Sequence, residues 1–291
     1  MSELAAEKPA PQVPKPNAPV TIHLEATSGF SRVLSPRELW RYRDLALQIV
    51  VRDVTLRYRQ TALGAAWAIL QPVSLMLVFY IFFNRVAGVS SGAVPYPLFS
   101  LAGLVPWTFF STTLLLGSES LVLYKELVSK IYFPRIFMPM GAVGAGLVDL
   151  SVSIILLVVV VLIYGIVPSL AVLTLPLLIV IAVATVLGAT AALSAINVRY
   201  RDVRYVIPFA VQMWLFLTPI VYPSSSLHEP WRTLSGINPM AGVVEGFRWA
   251  LLDTGHPPLA LMGISTASAV VFFFGGLAYF DRVERTFADI I

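Results

Sequence analysis

The sequence predicts an all-α integral membrane protein with six transmembrane helices, and three observations carry that reading. Between Leu150 and Val198 no formally charged side chain occurs. Those 49 residues suffice for two crossings around a Pro-bearing turn at Tyr164 to Leu170, since each crossing takes roughly 20 mostly apolar residues. The composition is 57% hydrophobic and only 12% charged, with mean hydropathy +0.80, outside the range of a soluble domain of this length. The 20 Lys and Arg are also unevenly placed. Lys8 to Arg59, Lys125/Lys130/Arg135, Arg199/Arg201/Arg204 and Arg282/Arg285 hold 17 of them, and the alternate connections hold only Arg85, Arg232 and Arg248. By the positive-inside rule both termini are cytoplasmic.

Taken in order, residues 1–30 read as a disordered cytoplasmic tail, because Pro9, Pro11, Pro14, Pro16 and Pro19 stand among few large apolar groups and such a segment cannot bury enough surface to fold. No apolar core of signal-peptide type precedes the first span, so targeting is expected from that span itself. Residues 31–64 read as an amphipathic interfacial helix. Ser35-Pro36-Arg37-Glu38 fits a capping box with Pro at the first helical position. From there to Arg59 the polar residues Arg41, Asp44, Gln48, Arg52, Thr55 and Arg59 recur at spacings of three and four, with Leu39, Trp40, Tyr42, Leu45, Ile49, Val50 and Leu56 largely elsewhere on the wheel. A basic helix of this kind lies in the headgroup layer against membrane lipid. Two roles stay open for it, a positive-inside anchor and a contact to a cytoplasmic partner.

Residues 65–291 read as one six-span domain, with crossings at about Ala65–Phe83, Leu98–Gly117, Ile136–Tyr164, Leu170–Asn197, Tyr205–Tyr222 and Pro257–Phe280. Between spans two and three, Leu121–Tyr132 has helical spacing and stops at Pro134; a connector is the plain alternative to a functional helix. Ser224 to Gly255 divides into two short helical stretches at Asn238-Pro239. It is too short and polar to span, and is expected to dip into the outer interface.

The chemistry carried by the spans is sparse. Ionisable groups inside a bilayer are costly and mark function, yet Asp149 is the only acid well inside a span, and Glu119 sits near the cytoplasmic end of span two. A local hydrogen-bond partner would account for Asp149. Gly141, Gly144, Ala145 and Gly146 in span three, and Ala184, Gly188 and Ala192 in span four, form small-residue patterns that let helices approach closely. Aromatics are denser: Phe79 and Tyr80 in span one, Trp107 and Phe110 in span two, Trp214 and Phe216 in span five. Interfacial belts are one account of them. Trp214 lies too deep for a belt, and the alternative is a row of surfaces on which the apolar faces of sugars stack weakly enough to move on. No cysteine is present, and His23, His228 and His256 are scattered. The basic residues are not gathered with aromatics on one soluble unit, which argues against nucleic acid as a partner.

The order of several short motifs resembles the permease subunit of type-2 ABC exporters for lipid-linked polysaccharides, the class of O-antigen, teichoic-acid and polyol-phosphate transporters. The residues are Tyr42-Arg43-Asp44-Leu45; Arg52-Asp53 with Arg57-Tyr58-Arg59-Gln60-Thr61, Gly64, Trp67 and Gln71-Pro72; Lys130-Ile131-Tyr132-Phe133-Pro134-Arg135; Asn197 with Arg199-Tyr200-Arg201-Asp202; Thr218-Pro219-Ile220; Asn238-Pro239-Met240; and Glu284 to Ile290. The resemblance runs from about Leu39 to Ile291. It implies that the N-terminal helix is a gate helix acting through Arg41, Arg52, Arg57, Tyr58 and Arg59. It further implies that Leu121–Tyr132 is a coupling helix contacting an ATPase through Leu123, Lys125, Glu126, Leu127 and Lys130, and that Ser224–Gly255 forms external gate helices. A homodimer enclosing a polymer channel in the cytoplasmic (inner) membrane, with two copies of a P-loop ATPase, is implied as well. ATP and magnesium would belong to that partner, for no G-x-x-x-x-G-K-[ST] occurs here and none of the four lysines follows a glycine, so this chain has no phosphate cradle of that kind and no cofactor is expected in it. The resemblance thus implies passage of a lipid-linked polysaccharide without catalysis by this chain. Two rivals are an ion-coupled secondary transporter, which calls for intramembrane charge pairs or internal repeats, and a membrane enzyme of glycan assembly, which calls for clustered acids or histidines.

Overall fold

The computed structural model describes residues 40–59, 64–125, 133–200, 202–253, 255 and 257–284. The tail, the Ser35–Glu38 box, Glu126 to Tyr132, Arg201 and the chain from Arg285 onward lie outside them. All regular structure among the described residues is helical. Helix α1 spans Arg43–Tyr58, α2 Trp67–Phe79 with a π-helical continuation over Tyr80–Val86, α3 Tyr96–Leu123, α4 Phe137–Ile163, and α5 Leu175–Arg199 after a 3₁₀ turn at Leu170–Thr174. They are followed by α6 Val203–Leu217, α7 Trp231–Leu234, α8 Pro239–Leu252 and α9 Leu259–Glu284. Trp67–Val86, Tyr96–Leu123, Phe137–Ile163, Leu170–Arg199 and Leu259–Glu284 are long and apolar enough to cross a membrane. The chain is a multi-pass membrane protein.

The expected span Tyr205–Tyr222 appears as the shorter α6, whose 15 residues cover roughly 22 Å at 1.5 Å per residue, less than a hydrocarbon core of about 30 Å. The cause is local. Thr218 precedes Pro219 and takes an extended conformation, φ −94° and ψ 136°, as a residue before proline is driven to do. The chain then continues without helix through Thr218, Ile220 and Val221, all buried.

Helix α8 is packed within the bundle against α3, α5 and α9, with Met240, Val244, Phe247 and Leu251 fully buried. Asn238 begins it by accepting from the Met240 amide at 3.0 Å, Pro239 follows where its missing donor costs nothing, and Asp253 ends it at φ 51°. Gly242 and Gly246 make the fit, because a Cβ on either would fall within 2.5 Å of Ser265 or 2.7 Å of Leu178.

Helix α1 runs alongside the first half of α4. The Tyr42 ring lies 6.4 Å from that of Phe137, and a Cβ added to Gly141 or Gly144 would come within 2.4 Å of Ile49 or Val50. The span-three glycines thus form the groove that takes α1. The expected division of α1 into one polar and one apolar face is corrected here: Arg52, Asp53, Arg57 and Tyr58 turn inward with Ile49, whereas Leu47 and Val51 are each 62% exposed beside Asp44 and Gln48. The inward polar groups are tolerated because they are paired. Helices α5 and α9 meet backbone to backbone, for a Cβ on Gly276 would lie 2.0 Å from the Gly188 carbonyl oxygen.

Candidate functional site

Two polar centres fasten α1 to the spans. In the first, Arg52 donates from Nε and Nη2 to Asp53 Oδ1 at 3.1 and 3.0 Å, its guanidinium lies 3.7 Å from the centre of the Tyr124 ring, and the Tyr124 hydroxyl donates to the same oxygen at 3.2 Å. Burial first, then the Asp53 charge, pushes the Tyr124 phenol above its ordinary value, which keeps it a donor. Tyr124 caps α3, so Leu121 to Leu123 of the expected short helix are in fact the last turn of span two. Leu123 is 70% exposed there and Lys125 is exposed; Glu126, Leu127 and Lys130 lie outside the described residues.

In the second centre Arg57 Nη1 and the Tyr58 hydroxyl each donate to one oxygen of the Asp149 carboxylate. Asp149 stands midway along α4. Its partners are not local but come from α1, about ninety residues earlier in the chain. A cavity of about 310 Å³ opens beside it, with Trp67 and Gln71 on α2, Thr108 and Thr112 on α3 and Ser153 on α4. Of the expected gate-helix residues, Arg52, Arg57 and Tyr58 are thus drawn into the protein, whereas Arg41 and Arg59 are exposed.

The aromatic candidates divide. Phe79, Trp107 and Phe110 are only 5, 3 and 0% exposed and pack within the subunit, Trp107 and Phe110 with ring centres 5.4 Å apart. Within the single subunit their rings are covered by neighbouring side chains. Trp214 is half-buried, edge-on to Phe110 at 5.0 Å, and its indole N–H donates to Asn238 Oδ1 at 3.0 Å. Its donor is engaged in holding the start of α8. Tyr80 is half-buried and accepts from Arg85 Nε at 2.8 Å. Phe216 is exposed, and so are Tyr205, Phe209 and Gln212 on the same side of α6, opposite the buried Ile207 and Val211. Spacings of four, three and four residues could have revealed this stripe in the sequence.

The family model described as ABC-2 type transporter matches residues 45–252, from α1 through α8. The chain belongs to that family. It is 30% identical over 257 residues to the O-antigen export system permease protein RfbA of Myxococcus xanthus, covering 88% of this chain and 98% of that protein. It is 26% identical over 250 residues to the protein of the same name from Klebsiella pneumoniae, covering 85% and 95%. An intramembrane charge pair such as Arg57–Asp149 would also suit an ion-coupled carrier, so the pair does not by itself separate the two readings; family membership does. This ABC-2 chain is accordingly a transport subunit. No group of three or more side chains able to hold a metal occurs among its described residues.

The interior of this ABC-2 subunit is organised by a residue that charge counting had treated only as a topology signal. Arg248, 1% exposed, donates to the carbonyls of Phe99, Pro219 and Ile220 at 3.2, 2.5 and 2.7 Å and to Glu245 Oε1 at 3.1 Å. Its guanidinium also lies 3.5 Å from the Phe99 ring centre. The Pro219 and Ile220 carbonyls are those left over when α6 stops. A buried charge is tolerated only when fully paired, and here it supplies the donors that the broken span needs. The signal in the sequence was Glu245 three residues before Arg248 on an otherwise apolar helix.

Proposed function

We propose that this chain is the membrane permease subunit of an ATP-driven exporter that carries a lipid-linked, O-antigen-type polysaccharide across the cytoplasmic membrane. Two copies enclose the path, both termini face the cytoplasm, and two cytoplasmic P-loop ATPases supply the energy. The observation that carries this reading is the alignment with O-antigen export permeases over nearly their whole length. It is supported by the aromatic stripe Tyr205–Phe209–Phe216, which remains uncovered in a single subunit and suits weak, repeated contact with sugars. The exposed end of α3 at Leu123 and Lys125 leads into the segment that would meet the ATPase. Helix α1, fixed at Tyr124 on one side and Asp149 on the other, would gate entry. The test is genetic and biochemical: deleting the gene should abolish long-chain surface polysaccharide, expression of this chain should restore it, and the chain should co-purify with a P-loop ATPase. Restored transport of a small ion-coupled solute with unchanged surface glycan would overturn the reading.

A further inference from the structure

The cavity beside Asp149 has no part in the roles assigned above to the stripe on α6, which contributes nothing to its lining. At about 310 Å³ it stands at the lower end of ligand pockets, which run roughly 300–1,000 Å³. That is room for a sugar unit or two and not for a polymer. Its walls are amphiphilic. Trp67, 53% exposed, provides aromatic surface, and Arg57, Tyr58, Asp149 and Gln71 provide polar groups. Thr108 and Thr112 already donate their hydroxyl protons to the carbonyls of Val105 and Thr108, which leaves their oxygens to accept. Gln71 is exposed and its amide makes no hydrogen bond to another described residue, so its donors and acceptor can turn to a ligand in the cavity that it lines. Tethering α1 would require only Arg57, Tyr58 and Asp149; it accounts for neither Gln71 nor the open volume.

Charge selects the class of ligand. Arg57 and Asp149 sum to zero, so an anion approaching the guanidinium meets the carboxylate, and a cation approaching the carboxylate meets the guanidinium. A neutral polyol satisfies both, since a carboxylate accepts from hydroxyls and a guanidinium donates to them, while an apolar C–H face fits an aromatic wall. We infer that this cavity binds one neutral sugar unit of the transported glycan, with Asp149 and Gln71 on its hydroxyls and Trp67 against its C–H face. The inference rests on the exporter reading.

The chain contains no cysteine, so a single Thr112→Cys in the full chain, in membrane vesicles with its ATPase, reports on the cavity alone. Its rate of reaction with a small maleimide is measured with and without the neutral oligosaccharide repeat released from the surface polysaccharide. The sugar should slow labelling about fivefold at roughly four times its Kd, and inorganic pyrophosphate should not slow it. Adding Asp149→Asn, which keeps shape but not charge, should remove the protection. Gln71→Leu, which leaves the α1 contacts untouched, should weaken it. Protection by pyrophosphate in place of sugar would overturn the inference in favour of an anion site. No protection by either, in a wild-type background that still restores surface glycan, would overturn it and leave the exporter reading standing. Failure of the wild-type chain to restore glycan would instead sink the exporter reading.

Discussion

The most apolar 18-residue stretches of Trp67–Val86 and Tyr96–Leu123 have nearly the same mean hydropathy, 1.6 and 1.5, yet 11% of the first stretch and 89% of the second is buried within the subunit. Hydropathy places a helix in the membrane and says little about its place in the bundle, because lipid is as apolar as leucine and no hydrophobic force drives one helix against another. Close approach decides instead. On α3 the hydroxyls of Ser100, Thr108 and Ser120 return to carbonyls of their own helix, which lets them be buried at little cost, and only the Thr113 hydroxyl is buried without a partner among the described residues. Gly103 and Gly117 on the same helix admit Arg248 and Thr190. On α2, by contrast, Leu77, Val78, Ile81 and Phe82 project outward about half exposed.

That contrast can be broken most severely at Arg248. Arg248→Met removes the donors to Phe99, Pro219 and Ile220 and strands Glu245, and breaking a buried pair in this way costs about 3–5 kcal/mol. The yield of monodisperse protein after detergent extraction should collapse. Full yield would mean that the interior is held by something else.

A second test sets adjacent glycines against each other. Gly276→Ala forces a methyl onto the Gly188 carbonyl of α5, whereas nothing lies within 4 Å of a Cβ at Gly275. The first should destabilise by about 1–3 kcal/mol, as overpacking does, and Gly275→Ala should stay within about 0.5 kcal/mol. Thermal unfolding of the two proteins side by side reads the difference, and equal midpoints would contradict the α5–α9 contact.

Trp214→Phe is a subtler change. It keeps an aromatic ring against Phe110 but removes the donor to Asn238, a loss of about 1 kcal/mol that should lower the unfolding midpoint while surface glycan persists. An unchanged midpoint would free Trp214 from its structural role and return it to the list of surfaces for passing sugars.

The smallest effect sharpens the opening contrast directly. Ile81→Ala on α2 should alter subunit stability by no more than about 0.5 kcal/mol, against about 2–5 kcal/mol for Leu104→Ala on α3, where the side chain is 0% exposed. Comparable losses would show that α2 is covered in the membrane by another surface, a second copy being the first to test by cross-linking.

Five of the six expected crossings could be read from the sequence because each is a long apolar run, and length is all that a bilayer demands. The candidate site was legible only in pieces. Arg57, Tyr58 and Asp149 each stood out, but their meeting depends on how α1 lies along α4, and the side chains that meet are about ninety residues apart. The rings of Trp107 and Phe110 looked like channel surface for a similar reason, since aromatic residues suit a sugar path and a helix core equally well.

By itself, then, the sequence determined the solvent this protein lives in, the length of its apolar helices and, through Pro219 and Asn238-Pro239, where helices must stop, because these follow from hydropathy and backbone sterics acting within a few residues. Only the tertiary structure decided that α8 lies inside the bundle, that Arg248 completes the hydrogen bonds of a broken span, and that Asp149 is paired with α1 beside an open cavity. Those outcomes depend on which polar groups find partners across the bundle, and partner choice in a low-dielectric interior is set by three-dimensional proximity that no local pattern encodes.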